Sequence, residues 1–169
     1  MIGNVFFRGI TDIRLPWGKC STRATTADQN LREIVRRLLN EGANYFYTNL
    51  QTPSDVTFAQ MILHCKSLFP QIQLEIALPN ECGQHKDLLH SADTVTISEE
   101  NDNDFSLSQI DMRLLEIADM AIVMPLENMP RDPSTVLLSR MTRQKGVEII
   151  FYSDTGIHRA KAQRLPKNM

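Results

Sequence analysis

The 169-residue chain contains only three cysteines, Cys20, Cys65 and Cys82, with no CxxC spacing among them. An odd, unpaired set argues against both a disulfide framework and a zinc knuckle, so free thiols are expected, with Cys65 on the apolar face of a helix. His64, His85, His90 and His158 form no HExxH or other ligand spacing, and no metal or cofactor is implied. No stretch approaches the roughly 18 apolar residues of a membrane span. The start, MIGNVFFRGITDIRLPW, has neither a basic segment nor an apolar core with a cleavage site, so the expected location is cytoplasmic, with no membrane partner. A formal charge of −2 supplies no general attraction for nucleic acid, which is disfavoured as a partner. The acidic run 99–104, EENDND, lacks the glycine-turned twelve-residue loop of a calcium site and is expected to be a solvated loop.

Short apolar runs alternate with helical patterns along the whole chain. Val5-Phe6-Phe7 is the first run. Leu31, Ile34, Val35, Leu38 and Leu39 then mark one helical face, with Gly42 at the C-cap position. The strand-like Tyr45–Thr48 leads to a helix with Phe58, Met61, Ile62, Cys65 and Phe69 on one side, stopped by Pro70. Ile72–Ile76 alternates with period two, as a strand near a sheet edge does, and a short helix within Gln84–Ala92 precedes the strand Thr94–Ile97. A helix through Leu107, Ile110, Leu114 and Ile117, the doubly covered strand Met120–Met124, a helix over 133–145 and the strand Val147–Tyr152 complete the series. The expectation is an α/β, Rossmann-like, doubly wound and mostly parallel sheet of about six strands with helices on both faces. Residues 1–153 make one domain. The tail after Asp154, with Arg159, Lys161, Arg164 and Lys167 and few apolar groups, is expected to be flexible.

In such a sheet ligands sit where strands turn into helices, and phosphate-binding turns are glycine-rich. The turn Asn49-Leu50-Gln51-Thr52-Pro53-Ser54-Asp55 has no glycine at all. Thr52-Pro53-Ser54-Asp55 instead has the form of a capping box, with Thr52 as N-cap, Pro53 at N1 and Asp55 reaching back from N3. Asn49 tolerates a left-handed backbone, whereas Leu50 is not expected to adopt one. Asp132-Pro133-Ser134-Thr135 has the same form, and both aspartates would repel a phosphate.

The segments FAQMILHCKSLFPQIQLEIALPNECGQ, LLHSADTVTIS, LLEIADMAIVM and STVLLSRMTRQKGVEII, taken in order, resemble the YpsA-like branch of the SLOG superfamily. That superfamily includes the LOG phosphoribohydrolases and the DNA-processing protein A family. The resemblance covers residues 45–152 and is anchored by Asp55, Ala59, Pro79, Gln84, Asp93, Ser98, Asp119 and Thr135. It implies a nucleotide-like pocket bordered by Gly-Gly, Gly-Val-Asp and Gly-Gly-Thr turns. Here Asn49-Leu50, Pro53-Ser54-Asp55 and Pro133-Ser134-Thr135 stand in those places, so the aspartate and threonine persist and the glycines do not. The LOG signature PGGxGTxxE is represented by PRDPSTVLL, with Leu138 in place of the glutamate, which disfavours phosphoribohydrolase activity.

The candidate ligand residues are Arg8 and Gly9 after the first strand, Asn49, Thr52 and Asp55 after the second, and Asn80 and Gln84 after the third. Ser98 and Glu99 follow the fourth, Glu127 the fifth, and Ser134 and Thr135 open the last helix. None is assigned a catalytic role, although Glu99 or Glu127 has the chemistry of a general acid or base. A non-catalytic binder of a nucleotide-like or other small polar molecule is the leading reading. The alternatives are a ligand-free scaffold or interaction protein, for which an apolar subunit interface and a homo-oligomer are expected, and an N-glycosidase or nucleotide hydrolase.

Overall fold

The structure, a computed structural model, describes residues 3–9, 22–50, 52–78, 83–97, 113, 116–123, 144–153 and 155–160. Its elements in chain order are β1 (Asn4–Arg8), α1 (Thr22–Asn40), β2 (Tyr45–Thr48), α2 (Pro53–Leu68), β3 (Gln73–Leu78), α3 (Lys86–Ser91), β4 (Thr94–Ile97), β5 (Met120–Val123), β6 (Glu148–Ser153) and β7 (Gly156–Ala160). The strands form one seven-stranded sheet in the order β4-β3-β2-β1-β5-β6-β7. Every neighbouring pair is parallel except β6 and β7. This is the expected α/β, mostly parallel, Rossmann-like arrangement with one strand more.

The extra strand corrects the expectation for the tail. Gly156–Ala160 pairs antiparallel with β6, from Ile149 opposite Ala160 to Ser153 opposite Gly156. The Arg159 guanidinium donates to both Glu41 carboxylate oxygens at 3.0 and 3.2 Å and to Glu148 at 2.9 Å, which ties the strand to the end of α1 and the start of β6. The basic residue expected on a loose tail thus meets two acids from distant segments. Residues 161–169 lie outside the described residues.

Side chains alternate across the sheet with period two. Val5, Phe7, Phe46, Leu74, Ile76, Leu78, Met120, Ile122, Ile150 and Tyr152 share one core with Leu31, Ile34, Val35 and Leu38 of α1 and Phe58, Ala59 and Ile62 of α2. Phe6, Tyr47, Ala77, Ala121, Val123 and Ile149 point to the other face, where they are also buried. One face is therefore covered by α1 and α2, whereas most of the helix through Leu107, Ile110, Leu114 and Ile117 and of the helix over 133–145, both expected from the sequence, lies outside the described residues. Phe58 of α2 fixes the helix over the sheet, its ring stacked 4.3 Å from Phe7 and tilted against Phe46 at 6.2 Å. Burying each such ring contributes about 1.5–3 kcal/mol.

The local stops follow from their residues. After α1, Gly42 takes φ 95°, and its N–H donates to Leu39 O while the Ala43 N–H donates to Leu38 O at 2.9 Å, the two bonds of a Schellman motif. Pro70 cannot continue α2, and Phe69 caps it. The period-two segment Ile72–Ile76 leads into β3, beside the terminal strand β4, whose Val95 and Ile97 are exposed.

Two strands begin with the same device. Asp93 and Asp119 each stand one residue ahead of a strand, at the end of an L-L-x-x-A-D sequence. The Asp93 N–H donates to Leu74 O at 3.0 Å and its Oδ2 accepts the Leu74 N–H at 2.8 Å; the Asp119 N–H donates to Asn4 O at 2.8 Å and its Oδ2 accepts the Asn4 N–H at 2.9 Å. Each aspartate clips the start of its strand to a neighbouring strand, at the amino edge of the sheet. Two anchors of the family resemblance therefore do architectural work, at the edge opposite to the turn from β2 into α2.

Burial acts to raise the Asp93 carboxyl, but the Lys66 ammonium and the Leu74 N–H more than offset it and hold it below the ordinary aspartate value of 3.8. A depressed folded-state pKa contributes stability that is present above the unfolded value and lost as pH falls through the folded one. Asp93→Asn should therefore lower stability near neutral pH by about 1 kcal/mol. The gap from wild type should close on acidification below the ordinary aspartate range, as measured by urea unfolding across pH; a gap that persists unchanged in acid would contradict the assignment.

Candidate functional site

β1 lies between β2 and β5, so the chain leaves its carboxyl end toward one half of the sheet while the other half is built later. Crevices at such switch points are where open α/β sheets bind ligands. β1 ends with Arg8, in register with Val123 of β5, followed by Gly9. The turn from β2 into α2 lies beside it.

The turn Asn49–Asp55 is a completed helix start. Thr52 has an extended backbone, φ −128° and ψ 160°, and its Oγ1 accepts the Asp55 N–H at 3.2 Å. Asp55 Oδ2 accepts the Thr52 N–H at 2.8 Å and the Thr52 hydroxyl at 2.9 Å. Pro53 fills the first helical position, where its missing N–H costs no bond. The capping box read from four consecutive residues is thus present in full.

A third donor comes from far away in the chain. The Gly9 N–H donates to Asp55 Oδ1 at 2.9 Å, and the fully buried carboxylate joins the end of β1 to the start of α2. This explains the glycine. A Cβ at position 9 would lie 2.1 Å from Thr52 Oγ1, 2.8 Å from Ser54 Cβ and 3.3 Å from the Asp55 nitrogen. The backbone of Gly9 lies against the amino end of α2, the place where a phosphate rests on glycine-rich turns.

Leu50 overturns one expectation. Its φ is +54°, in the left-handed region, and its side chain is buried in the core. The strain of that conformation, about 1–2 kcal/mol, is offset by burial of the leucine side chain, about 1.5–3 kcal/mol. The backbone here holds a shape ordinarily given to glycine, without a glycine.

Asn49 is buried beside it, and Thr48, the last residue of β2, is fully buried with no hydrogen-bond partner for its hydroxyl among the described residues. Sequence reading passed over Thr48, and also Tyr152 and Asp28. The Tyr152 phenol is pushed well above its ordinary pKa by burial, and further by the charges of Asp55 and Asp28. Burial also raises the Asp28 carboxyl, against the pull of Arg32. Asp28 left a faint signal: it falls on the α1 stripe of Ala27, Leu31, Ile34 and Val35, where an apolar residue belongs. Tyr152 left none, since it ends an apolar run.

The structure thus brings Gly9, Asn49, Thr52 and Asp55 together with Thr48 and Tyr152 at the carboxyl edge of the sheet. Gln84 is exposed, just ahead of α3, whose N-cap His85 has φ 59°. Asn80, Ser98, Glu99, Glu127, Asp132, Ser134 and Thr135 lie outside the described residues. Cys65 is a free, partly buried thiol whose pKa burial pushes up. Among the described residues no group of three or more His, Cys, Asp or Glu is placed to hold a metal ion, and no helix is long and apolar enough to cross a membrane.

No protein-family model matches the chain, and no curated protein matches it. The chemistry of the site therefore rests on its own geometry. Among the described residues, the positive end of α2 is already engaged by the side chains of Thr52 and Asp55.

Two substitutions measure this clasp. Gly9→Ala forces a Cβ into the Thr52 hydroxyl and should destabilise the fold by about 1–3 kcal/mol or more. Asp55→Ala removes the acceptor of the buried Gly9 and Thr52 N–H groups and should cost on the order of 3 kcal/mol. Urea unfolding reads both; a loss under half a kcal/mol for either would refute the clasp.

Proposed function

We propose that this protein is a non-catalytic binder of a small nucleotide-like or otherwise polar molecule, held at the carboxyl edge of the sheet as in the SLOG proteins it resembles. One observation carries the reading. Among the described residues the buried polar and charged side chains are Thr48, Asn49, Thr52 and Asp55, all within eight residues, and the strained Leu50 stands among them. Buried polar groups and left-handed non-glycine residues each cost stability and concentrate where function requires them. Cores elsewhere in this sheet are apolar.

A scaffold that retained the fold and lost the pocket is the second reading, and the self-satisfied start of α2 favours it. Ligand-dependent stability separates the two. A ligand at about 100 times its dissociation constant stabilises a folded protein by about 2.7 kcal/mol. Thermal unfolding with adenosine, adenosine monophosphate, ADP-ribose and ribose 5-phosphate should show a saturable rise for at least one of them. After prolonged incubation the bound nucleoside or nucleotide should be recovered intact by chromatography. Silence across the panel at millimolar concentration would leave the scaffold reading in possession, and release of free base would replace both with an N-glycosidase.

A further inference from the structure

The proposed pocket leaves open which end of a ligand meets the turn between β2 and α2. We infer that this turn receives the uncharged, hydroxyl-bearing end of the ligand, a sugar-like polyol group, and that no phosphate is seated there. The inference rests on the binding reading above and concerns only the polarity of recognition.

Three features support it. The amino end of α2 has no room for an anion: Gly9 lies so close to Thr52 that not even a Cβ fits between them, and Asp55 already takes the Gly9 and Thr52 N–H groups. Two carboxylates, Asp55 on α2 and Asp28 on α1, act on the phenol of Tyr152, and Arg32 in turn acts on Asp28. A phosphate brought here meets like charge in a partly desolvated place, where Coulomb repulsion is weakly screened. Hydroxyl groups, by contrast, donate to a partly buried carboxylate such as Asp28 and tolerate a neighbouring phenol.

The third feature is Thr48. Its side chain is fully exposed to protein and not to solvent, on the face of β2 that α1 and α2 cover, two residues beyond Phe46 of that core. Its strand neighbour is Ile76 of β3, and its hydroxyl has no partner among the described residues. A valine has the same shape and would leave nothing unsatisfied there. An orphaned hydroxyl in such a place is destabilising, so its presence points to a polar atom that arrives from outside the chain.

The test is calorimetric binding of adenosine and of adenosine monophosphate to the wild type, Thr48→Val and Asp28→Asn, with thermal unfolding of each free protein. Adenosine should bind the wild type at least as tightly as the monophosphate. Thr48→Val should match or exceed wild-type thermal stability while weakening adenosine about tenfold or more, and Asp28→Asn should weaken it also. Binding of the monophosphate without binding of adenosine would overturn the inference and leave the binding reading intact. Thr48→Val that loses stability and keeps its affinity would show the hydroxyl to be structural and would overturn it too. Absence of binding by either compound would remove the inference together with the reading beneath it.

Discussion

The carboxylate of Asp55 is the constraint on which the rest of this sheet edge depends. It is fully buried and accepts from the Thr52 N–H, the Thr52 hydroxyl and the Gly9 N–H, so it caps α2 and fastens β1 to that helix at once. A buried carboxylate is tolerable only when its oxygens are satisfied, and here two of the three satisfying groups are backbone donors that would otherwise be orphans. The glycine at position 9 follows from the same contact, since the two segments approach too closely for any Cβ.

The two edges of the sheet use aspartate for different ends. At the amino edge Asp93 and Asp119 clip β4 and β5 to their neighbours, and their carboxylates accept backbone N–H groups from β3 and β1. At the carboxyl edge the aspartate engages the positive end of a helix and leaves around it Thr48, Asn49 and Tyr152, side chains that an apolar core does not need. The first edge has an architectural account for its polar groups. The second has one for Asp55 and Thr52 and none for the Thr48 hydroxyl, and that difference is what directs the functional reading to it.

Part of the site was legible in the sequence because its interactions are short in range. A capping box is contained in four residues, Thr52 to Asp55, and it could be read in full. The backbone of Leu50 was misread because local strain was weighed without the burial that offsets it, and that burial depends on the tertiary core the side chain joins. The strand Gly156–Ala160 was misread for a related reason: its composition is polar, and only the distant Glu41 and Glu148 turn Arg159 from a solvated charge into a fastening.

What the sequence determined by itself was the alternation of strand faces, the amphipathic stripes of α1 and α2, the stop at Gly42 and the capped start at Thr52. Each depends on periodicity or on partners within about four residues, and such information survives in a linear string. The tertiary structure alone decided that Gly9 lies on the start of α2, 46 residues from its acceptor, and that Asp119 holds Asn4 across 115. It also decided that Tyr152 stands near Asp55 and that a seventh strand closes one side of the sheet. Those contacts are set by strand order and register, which bring remote residues together through many weak packing terms that no single local pattern encodes.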